Sequence, residues 1–158
     1  MFAGLLVGAM ISGVSPAYNV EKMTFALKMA NVKFLMTTPA SMDSAVASAK
    51  AADLPQSNVF LLEGELPGYT SVQDLICIGE LYRELKQTPA FKIPPGEKNK
   101  DVCGFLSFSS GTTGLPKAVI ISHQNVIAQC LQIQQTTPET QKKIVAVLTL
   151  FHITGLVC

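Results

Sequence analysis

The chain has 158 residues, 48% of them apolar and only 15% charged, with 12 basic against 11 acidic side chains and a net charge of +1. That length suits one average domain of ~100 to 200 residues, or a piece of a larger one, and the even charge balance provides no basic stripe, which argues against nucleic acid as a partner. So apolar a composition leaves ample core and little solubilising surface, as in a chain whose own surface awaits a partner.

Residues 2 to 13, within "MFAGLLVGAMISGVSPA", read as a helix apolar on nearly all sides and therefore buried between layers. Gly4 and Gly8 recur there at helical spacing. The alternative, a secretory signal, lacks a basic leading segment, and the run falls short of the ~20 apolar residues that span a bilayer. "SPAYN" breaks this helix, and Asn19 is the N-cap of a second one. In that helix Glu21 favours the positive end, while Met23, Leu27 and Ala30 share one face.

"KFLMTT" (33 to 38) is a short continuous apolar run suited to a buried parallel strand, and Pro39 opens an alanine-rich helix over 40 to 52. "NVFLLE" (58 to 63) repeats the strand signal. Helix, strand, helix and strand in that order predict an α/β fold with a mainly parallel sheet, packed helices and right-handed crossovers. A turn at 64 to 70 leads to an amphipathic helix over 71 to 85. "KQTPAFKIPPGEKNKD" (86 to 101) has three prolines, several charges and no period, the composition of an exposed connector.

Strands over 102 to 109 and 117 to 122 then flank a hydroxyl-rich loop, followed by a helix over 123 to 134 and a buried strand over 143 to 150. His123 begins that helix and reads as structural. The four cysteines, Cys77, Cys103, Cys130 and Cys158, show no CxxC pairing and sit in apolar segments, which predicts buried free thiols in a reducing compartment and no metal site.

The loop concentrates the chemistry. Gly111 and Gly114 permit close backbone approach, successive N–H groups form an anion-binding concavity, four hydroxyls donate, and Lys117 supplies a charge. A polyphosphate uses all four features. A polar hairpin turn is the plainer reading, but such turns need only two to five residues. The loop is not a Walker A element either, because Gly114 is followed by "LPK" and a β-branched run instead of a lysine opening a helix. The phosphate site predicted here therefore has no helix dipole behind it.

"FSSGTTGLPKAVIISHQN" resembles the phosphate-binding segment of the adenylate-forming enzymes, the superfamily of acyl-CoA synthetases, 4-coumarate-CoA ligases, firefly luciferases and peptide-synthetase adenylation domains. The resemblance runs through most of the chain. "GLLVGAMISGVSPAYNVEKMTFALKMANVKFLMTT" is similar to an earlier stretch of the 4-coumarate-CoA ligase-like acyl-CoA synthetases, and "LTLFHITGL" to the stretch holding their active-site histidine.

It implies that residues 1 to 158 are part of an AMP-binding (adenylation) domain, with the layered fold of that domain and a hairpin at the phosphate loop. The implied activity is AMP-forming ligation: ATP and a carboxylic acid give an acyl-adenylate and pyrophosphate, and CoA then takes the acyl group, with Mg2+ assisting. Ser109, Ser110, Gly111, Thr112, Thr113, Gly114 and Lys117 would grip the phosphates. His152 would orient the carboxylate and adenylate, and Thr154 would line the acyl pocket beside it.

Two positions depart from the family pattern. Ala118 stands where glycine is usual, and Thr154 stands where 4-coumarate-CoA ligases often carry tyrosine, which weakens an aromatic-acid assignment. The later family segments for adenine, ribose and the catalytic lysine of the C-terminal domain are not found in the chain. The expectation is thus an internal part of a larger enzyme that is inactive alone, with the rest of the adenylation domain as its partner and a cytoplasmic or peroxisomal location. A truncated nucleotide-binding remnant and a piece of a peptide-synthetase module remain the alternatives.

Overall fold

The computed structural model of the chain describes residues 2–82, 88–109 and 115–138. The chain divides into two compact units, one formed by Met1–Ser15 with Pro89–Cys158 and the other by Pro16–Thr88. The fold is mixed α/β.

In the first unit, α1 (Phe2–Leu6) is followed by β1 (Ile11–Gly13), then much later in the chain by β4 (Cys103–Ser109), β5 (Lys117–Ser122) and α5 (His123–Thr136). The strands form one sheet in the order β1-β4-β5. β1 runs parallel to β4 and β5 antiparallel to it. Central β4 carries the apolar core of this unit, with Phe105, Leu106 and Phe108 all buried.

The first twelve residues overturn the expectation of one helix over 2 to 13. Gly8 adopts φ +81°, and the N–H groups of Gly8 and Ala9 donate to the carbonyls of Leu5 and Gly4. A left-handed glycine closing the last helical carbonyls ends a helix. The chain then extends, and Ile11, Ser12 and Gly13 pair with Phe105, Leu106 and Ser107. Nor is the segment buried: Leu6, Val7 and Met10 are all exposed.

In the second unit, α2 (Val20–Met29), β2 (Leu35–Thr37), α3 (Met42–Ala51), β3 (Val59–Leu61) and α4 (Val72–Leu81) follow in order. Asn19 is the N-cap of α2, its side chain accepting from the Lys22 N–H at 2.9 Å. Met23, Ala26 and Leu27 are the buried face of α2, and Met42, Ala45, Ser48 and Ala49 that of α3. Small residues let the two helices approach closely, and the Ser48 hydroxyl donates to the Val20 carbonyl across them.

β2 and β3 pair in parallel, as the apolar runs predict. Their burial is one-sided. Thr37, Val59 and Leu61 are buried, whereas Phe34, Met36 and Leu62 are exposed, because the described helices cover only one face of the pair. Parallel strands usually have both faces covered.

The thiols differ from expectation as well. Cys77 on α4 and Cys130 on α5 are exposed, and Cys103 is half-buried, since neither helix has a buried residue. Cys158 and the strand expected over 143 to 150 lie outside the described residues. Among the described residues no helix is long and apolar enough to cross a membrane.

Leu61 is fully enclosed, packed with Met42, Ala49, Leu54 and Val59. Leu61→Ala is expected to cost about 2–5 kcal/mol of stability, measured by urea denaturation. At the start of α4 the Ser71 hydroxyl and N–H both donate to the Asp74 carboxylate at 2.7 Å. Those donors, the hydroxyl first, hold the Asp74 carboxyl below the usual carboxylate range. A depressed value means that this cap stabilises fully above the unfolded-state pKa of ~3.9 and is lost as pH falls through the lower folded-state value. Ser71→Ala should raise the Asp74 pKa toward its unfolded-state value, read by NMR titration of the carboxyl carbon.

Candidate functional site

The hydroxyl-rich loop leaves the sheet from the end of β4 and returns at the start of β5. Ser109 is the last residue of β4, Lys117 the first of β5, and the two are directly opposite partners in the antiparallel ladder. Opposed residues of such a ladder project from the same face with Cα atoms ~4.5–5.5 Å apart. A hydroxyl and an ammonium thus stand together at the mouth of the loop, both on exposed residues. Buried Pro116 precedes Lys117.

Ser110, Gly111, Thr112, Thr113 and Gly114 lie outside the described residues, as do His152 and Thr154. Of the expected site residues, Ser109 and Lys117 are therefore the two that the structure brings together. Ala118 is half-buried and pairs with Phe108, so its methyl is accommodated in the ladder. Among the described residues no group of three or more His, Cys, Asp or Glu side chains is placed to hold a metal ion.

At the opposite end of the ladder, β5 passes without a break into α5. Ser122 is the N-cap. Its N–H and hydroxyl donate to Asn125 Oδ1 at 2.9 and 2.7 Å, and its hydroxyl oxygen accepts from the Asn125 N–H. The next two N–H groups also have partners: His123 donates to the Val102 carbonyl at 3.0 Å and Gln124 to the Asn99 carbonyl at 3.1 Å. The first turn of α5 is consequently tied to Val102 and to Asn99 of the connector, and its N–H groups are not free for an anion.

The structure also gives β4 a feature that the sequence reading passed over. Pairing steps from Cys103↔Ser122 to Phe105↔Ile121, leaving Gly104 as the extra residue of a bulge. A Cβ at Gly104 would lie 3.0 Å from His123 Cδ2, so a glycine there leaves room for the imidazole. A glycine inside a strand pattern was the available signal, because it commonly marks a bulge or close approach.

The chain matches the family described as AMP-binding enzyme over residues 1–158. It belongs to the AMP-binding enzyme family. Among curated members it is 30% identical to a probable 4-coumarate-CoA ligase of Dictyostelium discoideum, over 96% of this chain and 29% of that protein. To an acyl-CoA ligase of Alternaria alternata it is 27% identical, over 96% of this chain and 27% of the relative. It thus spans little more than a quarter of the relatives it matches.

Among solved structures, a long-chain-fatty-acid-CoA ligase of Archaeoglobus fulgidus superposes with a TM-score of 0.78 at 21% identity, covering 99% of this chain and 29% of that one. A red-emitting luciferase of Phrixothrix hirtus gives 0.73 at 22% identity, covering 98% of this chain and 38% of that one. These likenesses establish the shared fold, the layered α/β architecture of the AMP-binding enzymes.

Removing the Ser122 hydroxyl takes away the N-cap of α5. Ser122→Ala is expected to cost about 1 kcal/mol, and faster amide exchange at His123, Gln124 and Asn125 would report it.

Proposed function

We propose that the full-length protein carrying this chain is an ATP-dependent carboxylate-CoA ligase and that Ser109, Ser110, Gly111, Thr112, Thr113, Gly114 and Lys117 receive its nucleotide phosphates. The pairing of Ser109 with Lys117 across the mouth of a glycine- and hydroxyl-rich loop carries this reading. Membership of the AMP-binding enzyme family and relatives named as acyl-CoA and 4-coumarate-CoA ligases support it.

A carboxylate oxygen of the acid attacks the α phosphorus of ATP. The new acyl–O–P bond forms as the bond to the β phosphate breaks, and pyrophosphate departs. CoA sulfur then attacks the acyl carbonyl and AMP leaves. The burden on the protein in the first step is the negative charge that builds on the leaving pyrophosphate. Fixed donors already aimed at that charge lower the barrier without reorganising. Lys117, with Ser109 and the loop residues Ser110, Gly111, Thr112, Thr113 and Gly114, is the donor set for that task.

Mg2+ bound with the nucleotide would neutralise phosphate charge. We assign His152 to orienting the carboxylate and adenylate, and Thr154 to the acyl pocket beside it. Threonine in that place favours an acid other than an aromatic one.

The test is carboxylate-dependent exchange between ATP and pyrophosphate in the full-length protein. Exchange with at least one member of a broad acid panel is expected, and its absence with all of them defeats the ligase reading. A charge-assisted hydrogen bond contributes roughly 1.5–3 kcal/mol. Lys117→Ala should therefore lower kcat/KM for ATP about tenfold or more while the melting temperature stays unchanged, because Lys117 is exposed. An undiminished rate removes Lys117 from the site.

A further inference from the structure

The register of β5 against β4 decides which residue stands opposite Ser109. A two-residue turn dictates register, but seven residues separate Ser109 from Lys117. A slip of one residue would set a neighbour opposite Ser109 and turn the Lys117 side chain to the other face of the sheet. β1 gives no help, since it pairs with the other edge of β4. The far end of the ladder offers a fastening of its own.

Three observations converge there. Bulged Gly104 leaves space that a Cβ would fill, 3.0 Å from His123 Cδ2 and 3.4 Å from Nε2. The Phe91 ring meets the imidazole edge-on, with centroids 6.4 Å apart at 60°. Phe91 is itself fixed, because its N–H donates to the Leu6 carbonyl at 2.7 Å and its ring lies where a Cβ on left-handed Gly8 would be 2.6 Å from Cδ2. The imidazole is thus held against the bulge by an aromatic ring from the connector, while the backbone N–H of His123 donates to the Val102 carbonyl.

We propose that His123 is a positioning residue for the nucleotide site: seated over Gly104 and backed by Phe91, it pins the β4–β5 register that places Lys117 opposite Ser109. It acts through shape and not through proton transfer, so another flat ring should serve. The link to nucleotide rests on the function proposed above; the register pin itself does not.

Two measurements on the full-length protein separate them. With Ser109→Cys and Lys117→Cys together, the native register brings the two sulfurs within bridging distance, and closure in a glutathione buffer is followed by mass spectrometry of the bridged peptide. Adding His123→Ala should slow closure about two- to tenfold, the worth of an aromatic contact, whereas His123→Phe should preserve the rate. In the otherwise unaltered protein, His123→Ala should raise KM for ATP by a similar factor and leave KM for the acid within about twofold, with His123→Phe again restoring it.

Unchanged closure in His123→Ala overturns the proposal, and so does a His123→Phe protein as impaired as the alanine variant. Equal movement of both KM values overturns it too, as does an unmoved KM for ATP when Lys117→Ala raises it. If Lys117→Ala itself leaves ATP use intact, the nucleotide reading has failed and the closure rate alone judges the pin. Should His123→Ala not fold, Phe91→Leu takes its place: slower closure supports the proposal and an unchanged rate overturns it.

Discussion

The capture of the first turn of α5 by the connector is the constraint on which the first unit depends. A helix begins with N–H groups that have no partner within it. Here His123 and Gln124 give theirs to Val102 and Asn99, and Asn125 gives its own to Ser122. The base of the β4–β5 ladder is thereby closed through backbone hydrogen bonds. The first-turn N–H groups of α5 are therefore engaged within the chain.

The second unit is organised around a different economy of contacts. Alanine and serine on α2 and α3 bring the helices close, and the parallel pair β2–β3 packs Val59 and Leu61 with Met42 and Ala49 of α3. The opposite face presents Phe34, Met36 and Leu62, and α4 exposes Leu75, Ile76, Ile78 and Leu81. Exposed apolar residues in such number are more than isolated surface hydrophobes.

Much of the fold was legible because it is written in local chemistry. Asn19 caps α2 as a side-chain acceptor before a helix should. Pro39 opens the turn that leads into α3, and the β-branched run at 119 to 121 forms a strand that ends where Ser122 caps α5. Where local signals conflicted, tertiary pairing won. Residues 2 to 13 have helical composition throughout, yet Gly8 stops the helix and Ile11–Gly13 is claimed by β4. The cysteines sit in apolar stretches, but α4 and α5 have no buried residue, and Cys77 and Cys130 are exposed.

By itself the sequence determined the alternation of helices and strands and the family, since periodicity, caps and a run of glycines and hydroxyls are properties of neighbouring residues. Tertiary structure alone decided that Ser109 faces Lys117, that Gly104 is a bulge and that His123 rests over it against Phe91. Those relations join residues distant in the chain through strand register and close packing, and no spacing between neighbours encodes which strand residue will meet which.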